Sequence, residues 1–271
     1  MAQIAFHTAD LAPGELKSAQ VDLSPFRFDR IRSPHDPLFE NAFAALWAEF
    51  GAKDEMESRE TLALRFARAP RMIYEMILVR RADEFVAVRD HSAIVAPAIG
   101  AVVHLSHNLV APAARRTGLA GWLRTLPLQA ARECLEAAGA PPDSPITLVA
   151  EMEHLSPDDP SREVRLRAYE KAGFAKIDPA IVRYHQPDFR PPAVIDATGG
   201  ARPLPFQLLI RRVGREGETA IRGWEVRGLV KAIYEIYSPQ FRPADLAHPL
   251  LSLDSFPPDD ARVALLPPTR C

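Results

Sequence analysis

The segment richest in chemical content is Leu109-Val110-Ala111-Pro112-Ala113-Ala114-Arg115-Arg116-Thr117-Gly118-Leu119-Ala120-Gly121-Trp122-Leu123. An apolar strand pattern ends at Val110, and a turn leads directly into a helical pattern. The start of a helix offers backbone N–H groups with no intrahelical partner and the positive end of the helix dipole, a combination that holds anions. Gly118 has no Cβ, so a phosphate can come close to the backbone there. Ala120 keeps the first turn narrow, and Arg115 and Arg116 add positive charge. The run Arg115-Arg116-Thr117-Gly118-Leu119-Ala120 therefore reads as a pyrophosphate cradle.

A second informative run is Arg165-Leu166-Arg167-Ala168-Tyr169-Glu170-Lys171-Ala172-Gly173-Phe174. Asp159 and Pro160 suit the N-cap and first position of a helix, and Gly173 suits its C-terminal stop. Phe174 then opens a strand. Tyr169 carries a phenol with an ordinary pKa of about 10, neutral at pH 7 and able to donate a proton. The alternative role for the ring is packing of the helix against the sheet.

Both runs resemble segments of the GNAT superfamily of acyl-CoA-dependent N-acyltransferases. The first resembles its acetyl-CoA signature, Arg or Gln, two residues, Gly, one residue, Gly or Ala, here Arg115, Gly118 and Ala120. Val110 and Pro112 stand at the family's usual offset upstream. The second resembles the later Tyr-Glu-Lys-x-Gly-Phe motif, here Tyr169 to Phe174. The two occur in the family's order, separated by one strand from Ile146 to Glu153, and the resemblance covers roughly residues 70–185. It implies acetyl-CoA as cosubstrate, with its pyrophosphate on the loop from Arg115 to Ala120. It also implies a strand end, at Leu109 and Val110, that splays from its neighbour and pairs with the pantetheine arm. Tyr169 would lie near the sulfur and protonate the departing thiolate. The chain departs from the pattern at Arg162, where the family often has asparagine, and in the long connection from His154 to Ser161.

The implied reaction is direct attack of a primary amine on the acetyl thioester, so a base must take the amine's proton. Glu151 and Glu153 are two apart on a strand and face the same way, which makes either a candidate; a solvated strand end is the other reading. His104, Ser106 and Asn108 share one face of the preceding strand and could line the acceptor pocket, while Val103, Leu105 and Leu109 share the other. His107 falls with the apolar set, as a satisfied core histidine. His104 and His107, three apart on a strand, point to opposite sides and form no metal pair. No metal site is expected.

The elements that must position these groups follow from periodicity. Strands are expected at 26–31, 72–79, 85–96 and 101–110, with a hairpin connection at 80–84. Helices are expected at about 38–50, ended by Gly51, and around Leu62 to Ala67. A long helix at about 119–138 should bend at Pro127. Then come a strand 146–153, a helix 160–172, a strand 174–184, a Pro- and Gly-rich connection 187–205, a strand 206–213 and an apolar-striped helix 218–237 ended by Pro239. This order predicts one α/β domain spanning 1–271, with a mixed, mostly antiparallel central sheet and helices on both faces, a GNAT-like fold. Its core would be about 26–237, with an irregular arm 1–25 and a Pro-rich tail 240–271.

Composition limits the alternatives. Hydrophobic residues make up 47% of the 271 and charged residues 25%, enough for a buried core. A formal net charge of -2 speaks against an electrostatic nucleic-acid binder. Cys134 and Cys271 form no CxxC pair; Cys134 reads as a buried thiol. No leader-like or membrane-spanning run is present, so a cytoplasmic protein is expected. Neither GxxxxGK[ST] nor GxGxxG occurs. Two other readings stay open: a catalytically inactive acyl-CoA-binding or protein-interaction module, and an interaction protein using helix 218–237 as a homodimer face. The acceptor could be a small amine, an amino acid, an antibiotic, a peptide N-terminus or a lysine.

Overall fold

The computed structural model describes residues 4–69, 72–238 and 241–270. Pro239 and Cys271 lie outside them. Alternating apolar and charged residues give β1 (Arg27–Ile31), and two amphipathic runs give α2 (Phe39–Phe50) and α3 (Arg59–Phe66), after a short α1 (Leu16–Ala19) in the N-terminal arm. Apolar, β-branched runs form β2 (Met72–Arg81), β3 (Glu84–Ala96) and β4 (Gly100–Val110). The chain continues through α4 (Leu119–Thr125), α5 (Pro127–Ala137), β5 (Ile146–Met152) and α6 (Pro160–Lys171). Pro127 divides the expected long helix into α4 and α5, because a proline has no N–H for the preceding turn.

The last third departs from the expectations. The strand expected at 174–184 is two short ones, β6 (Ala175–Ile177) and β7 (Tyr184–Gln186). Between them Asp178 accepts from the Ala180 amide at 2.9 Å, an Asx turn, and Pro179 cannot donate to a ladder. Residues 187–205 include α7 (Pro192–Ala197), followed by β8 (Leu204–Arg212). The helix expected at 218–237 is β9 (Ala220–Arg222) and then α8 (Gly223–Tyr237). The Pro-rich tail contains α9 (Pro243–Ser252) and β10 (Arg262–Leu266). In α7 and α9 prolines occupy the first helical turn, where a missing N–H costs nothing.

One sheet runs in the order β1-β2-β3-β4-β5-β8-β6-β10-β9, with β7 paired to β8. The β4–β5 pair is parallel, and the other pairs among the described residues are antiparallel. The sheet is thus mixed and mostly antiparallel, with helices on both faces. On one face α5 and α6 pack over a core containing Val103, Leu105, Leu128, Leu148 and Leu166. On the other, α2, α3 and α8 enclose a larger core around Phe39, Leu62, Val102, Val149 and Ile233. The N-terminal arm lies along α4, where the Trp122 indole donates to the Ser18 carbonyl at 2.7 Å. Cys134 is buried and donates to the Ala93 carbonyl at 3.3 Å, and burial pushes its thiol up to about 11.

Candidate functional site

The parallel pairing of β4 with β5 runs from Ala101 opposite Ile146 to His104 opposite Val149 and stops there. β4 continues to Val110, held on its other edge by β3, and β5 continues to Met152, held by β8. From Leu105 onward the two strands therefore diverge, and the β4 edge facing the opening pairs with no second strand.

Next to the opening β4 carries a bulge. Arg89 pairs with Asn108 and His91 with Leu105, so Asp90 alone opposes Ser106 and His107. The extra residue inverts the alternation of faces beyond it. Leu109 accordingly packs in the core of Val102, not in that of Val103 and Leu105 as strict alternation predicts. Asn108 turns to the face of its partner Arg89, away from His104 and Ser106. His104 and His107 fall on one face instead of two.

A cavity of about 620 Å³ occupies the opening. Phe50, Glu55, His104, Ser106, His107 and Tyr237 line it from one side of the sheet, and Asn108, Arg124 and Tyr169 from the other. Glu151 and Glu153 both reach it, in different states. Glu151 is the centre of a buried cluster. It accepts from His104 Nε2 at 2.7 Å, Tyr237 at 2.6 Å and Gln186 at 3.2 Å, and also from the Tyr184 hydroxyl. Burial alone would raise its carboxyl, but the adjacent His104 ring and these donors outweigh burial and hold it below the usual range. An ionised carboxylate only accepts, so His104 carries its proton on Nε2, which leaves Nδ1 free to accept from Ser106 Oγ at 3.3 Å. Glu153 is bound by Arg162 at 2.8 Å and by Arg165.

His107 is buried, as expected of a core histidine, and fully engaged. Asp90 Oδ1 lies 2.9 Å from Nδ1 and accepts the His107 amide at 2.7 Å, and the Glu55 carbonyl accepts from Nε2 at 3.0 Å. With an acceptor at each nitrogen the ring is held as a cation. Burial opposes that charge, but Asp90 prevails and raises the ring's pKa, while His107 holds Asp90 far below the usual carboxylate range. Among the described residues no three His, Cys, Asp or Glu side chains are grouped to hold a metal ion. No helix among them is long and apolar enough to cross a membrane.

The loop from Arg115 to Ala120 leaves the end of β4. Arg116 and Gly118 both have positive φ, 63° and 101°. Among the described residues, the backbone N–H groups of Arg116, Thr117, Gly118 and Ala120 have no protein acceptor. Successive amides turned one way form an anion-binding nest. Arg115 and Arg116 are exposed, and Arg115 Nε donates to the Val110 carbonyl at 3.0 Å. Thr117 caps the Ala114 carbonyl at 2.8 Å, and the Leu119 side chain is buried in the core, leaving only its backbone to the loop. A Cβ on Gly118 would meet the Lys17 carbonyl at 2.9 Å and Val21 at 2.7 Å, so the N-terminal arm also requires glycine there. Tyr169 is half-buried at the cavity wall, edge-on to Phe174 at 4.9 Å.

Tyr184, Gln186 and Tyr237 were invisible to sequence reasoning as site residues. They come from β7 and α8, far along the chain, and in a linear reading Tyr237 is one more aromatic on an apolar stripe. The described signal for each is a hydroxyl or amide that needs a partner once buried.

No family model and no curated protein matches the chain. Among solved structures, it aligns with the glucosamine N-acetyltransferase region of a fungal multi-domain β-N-acetylglucosaminidase at 21% identity and a TM-score of 0.37, over 56% of this chain and 17% of that one. It aligns with a Desulfovibrio desulfuricans protein described as a GNAT-family acetyltransferase at 19% identity and a TM-score of 0.38, over 69% of this chain and 99% of that one. A third is a Bacillus subtilis acetyltransferase in complex with CoA, at 14% identity and a TM-score of 0.37, over 69% and 98%. The sheet itself is open and mixed, with one parallel pair that diverges beside a helix-initiating loop, and it has the mostly antiparallel order with helices on both faces that the sequence predicts.

Proposed function

We propose that the chain is an acyl-CoA-dependent N-acyltransferase that moves an acetyl group from acetyl-CoA to a primary amine by direct attack. The observation that carries this reading is the opening between β4 and β5, which holds a cavity lined from both faces of the sheet and lies beside a loop of unpartnered amides. The pyrophosphate would sit on Arg115, Arg116 and the unpartnered amides of Thr117, Gly118 and Ala120. The pantetheine arm would run along the free edge of Leu109 and Val110.

The amine nitrogen attacks the thioester carbonyl carbon and forms the C–N bond. The tetrahedral intermediate collapses with loss of the C–S bond, and the amide and the thiol are the products. Two proton transfers balance the step. The amine's proton passes to His104 Nδ1, directly or through Ser106, and Glu151 stabilises the resulting imidazolium. Tyr169 donates to the departing thiolate. In this assignment Glu151, held ionised by four donors, orients the base, while both oxygens of Glu153 are taken up in ion pairs with Arg162 and Arg165. Positioning of donor and acceptor in one cavity supplies most of the rate gain.

The test is calorimetric titration of acetyl-CoA into the protein and into an Arg115→Glu/Arg116→Glu variant. Both side chains are exposed, so the fold should survive the reversal. Binding in the micromolar range that the variant loses by about tenfold or more supports the loop as the pyrophosphate site. Absence of binding to the native chain rejects the transferase reading.

A further inference from the structure

The α4 side of the cavity carries groups that the transfer step does not use. Arg124 lines the cavity, is 8% exposed, and holds its guanidinium 5.9 Å from the Tyr169 ring centroid. One of its terminal nitrogens is bound by Glu15, while its Nε is buried without an acceptor. Arg89 stands beside it, fully buried, donating from Nη1 to the carbonyl of Leu123 at 2.7 Å. Nε and Nη2 of Arg89 are buried without acceptors. Its cross-strand partner Asn108 lines the cavity, and the Asn108 side-chain oxygen has no donor.

The charges here do not balance. Glu15 is bound to Arg124, and among the described residues no carboxylate is bonded to Arg89. Asp90 follows Arg89 in sequence, but it projects to the opposite face, where Tyr74 and His107 engage it. Burial pulls the Arg89 guanidinium down to about 10, with only partial relief from its neighbours. A buried cation is costly unless an anion joins it, and a neutral carbonyl would satisfy an N–H without balancing the charge. Arginine's planar fork matches a carboxylate.

We propose that this wall is a carboxylate subsite of the transfer cavity: Arg124, backed by Arg89, seats a carboxylate borne either by the acyl group of the thioester or by the amine acceptor. The proposal rests on the transferase reading. Chemically, the donor would be a CoA thioester of a short dicarboxylic acid, or the acceptor an amino acid.

Two arms distinguish these sources. In the first, succinyl-CoA and butyryl-CoA, equal in chain length, are titrated calorimetrically into the full-length protein. In the second, thiol release from acetyl-CoA is followed with lysine beside lysinamide and phenylalanine beside phenylalaninamide. The expected result is a preference of about ten- to a hundredfold for the carboxylate member in one arm. In Arg124→Gln that ratio should fall to about one. In Glu15→Gln, which frees the same arginine from the arm but keeps its charge, the ratio should persist. The proposal is overturned if neither arm shows a preference, if Arg124→Gln keeps it, or if Glu15→Gln abolishes it as fully as Arg124→Gln does. The transferase reading fails separately, and takes this proposal with it, if no CoA thioester binds at all.

Discussion

His104 and His107 each set a ring nitrogen against a buried carboxylate, Glu151 at 2.7 Å and Asp90 at 2.9 Å, and they differ in what the second nitrogen meets. At His107 it meets the Glu55 carbonyl, which can only accept, so both nitrogens donate and the ring is fixed as a cation. At His104 it meets Ser106 Oγ, which can donate, so this nitrogen can serve as an acceptor. The carboxylates differ in the same sense. Asp90 receives the His107 ring, the His107 amide and the Tyr74 hydroxyl, and belongs to the core. Glu151 is held by four donors, one more than Asp90, but lies on the cavity. An imidazole–carboxylate pair is thus a structural strut or, in the proposed reaction, a proton-accepting couple according to a single neighbour on the far nitrogen.

The largest expected effect lies on the strut. Asp90→Asn leaves a buried imidazolium without its anion and should lower the unfolding free energy by about 3–5 kcal/mol, read from urea denaturation at pH 7. Its pH dependence has a definite sign. Asp90 is depressed in the folded state, so its contribution is present above the unfolded value of about 3.9 and fades as pH falls through the folded one. His107 is raised, so its contribution is complete below about 6.5 and fades as pH rises through its folded value. The native chain should therefore gain most over Asp90→Asn between those limits. A uniform difference from pH 3 to pH 9 would break the comparison, because it would mean that the pair's charge does not matter.

The next effect lies on the couple. His104→Gln should lower kcat for acetyl transfer by about 10²- to 10³-fold, the usual worth of a general base. Its cost in urea stability should be smaller than that of Asp90→Asn, since glutamine can still donate to Glu151. If His104→Gln instead unfolds the protein as readily as Asp90→Asn while residual activity stays near native, the two histidines have the same structural role.

What made this contrast hard to read from sequence is local. The loop from Arg115 to Ala120 and the helix ending at Gly173 were legible because each is written in consecutive residues with fixed turn chemistry. The strands up to Ile146 were legible because their apolar periods are long. The faces of β4 beyond Leu105 were not. A bulge inserts one residue opposite Asp90, and nothing at Ser106 or His107 announces it. Strict alternation then misplaced Asn108, Leu109 and His107 together. The last third was obscured for a different reason: prolines that start α7 and α9 resemble the composition of a loop, and β6, β7 and β9, three residues each, are too short to show a period. Tyr184 and Tyr237, which complete the Glu151 cluster, lie in that third.

Those tyrosines give the smallest and most discriminating effect. Tyr237→Phe removes one donor from Glu151 and leaves His104, Tyr184 and Gln186 in place. A hydrogen bond to a charged group is worth about 1.5–3 kcal/mol, but the loss here is shared among the remaining donors, so kcat should fall only about three- to tenfold. The shape of the pH profile carries more information than its height. With one donor fewer, the Glu151 carboxyl should lie less far below its ordinary value. The acid limb of kcat against pH should then move to higher pH in Tyr237→Phe. A drop in kcat with an unmoved acid limb would make Tyr237 a packing residue and detach Glu151 from the proton path. A moved limb would place the control of that carboxylate in α8, on the side of the sheet opposite α6 and the tyrosine proposed to protonate the thiolate.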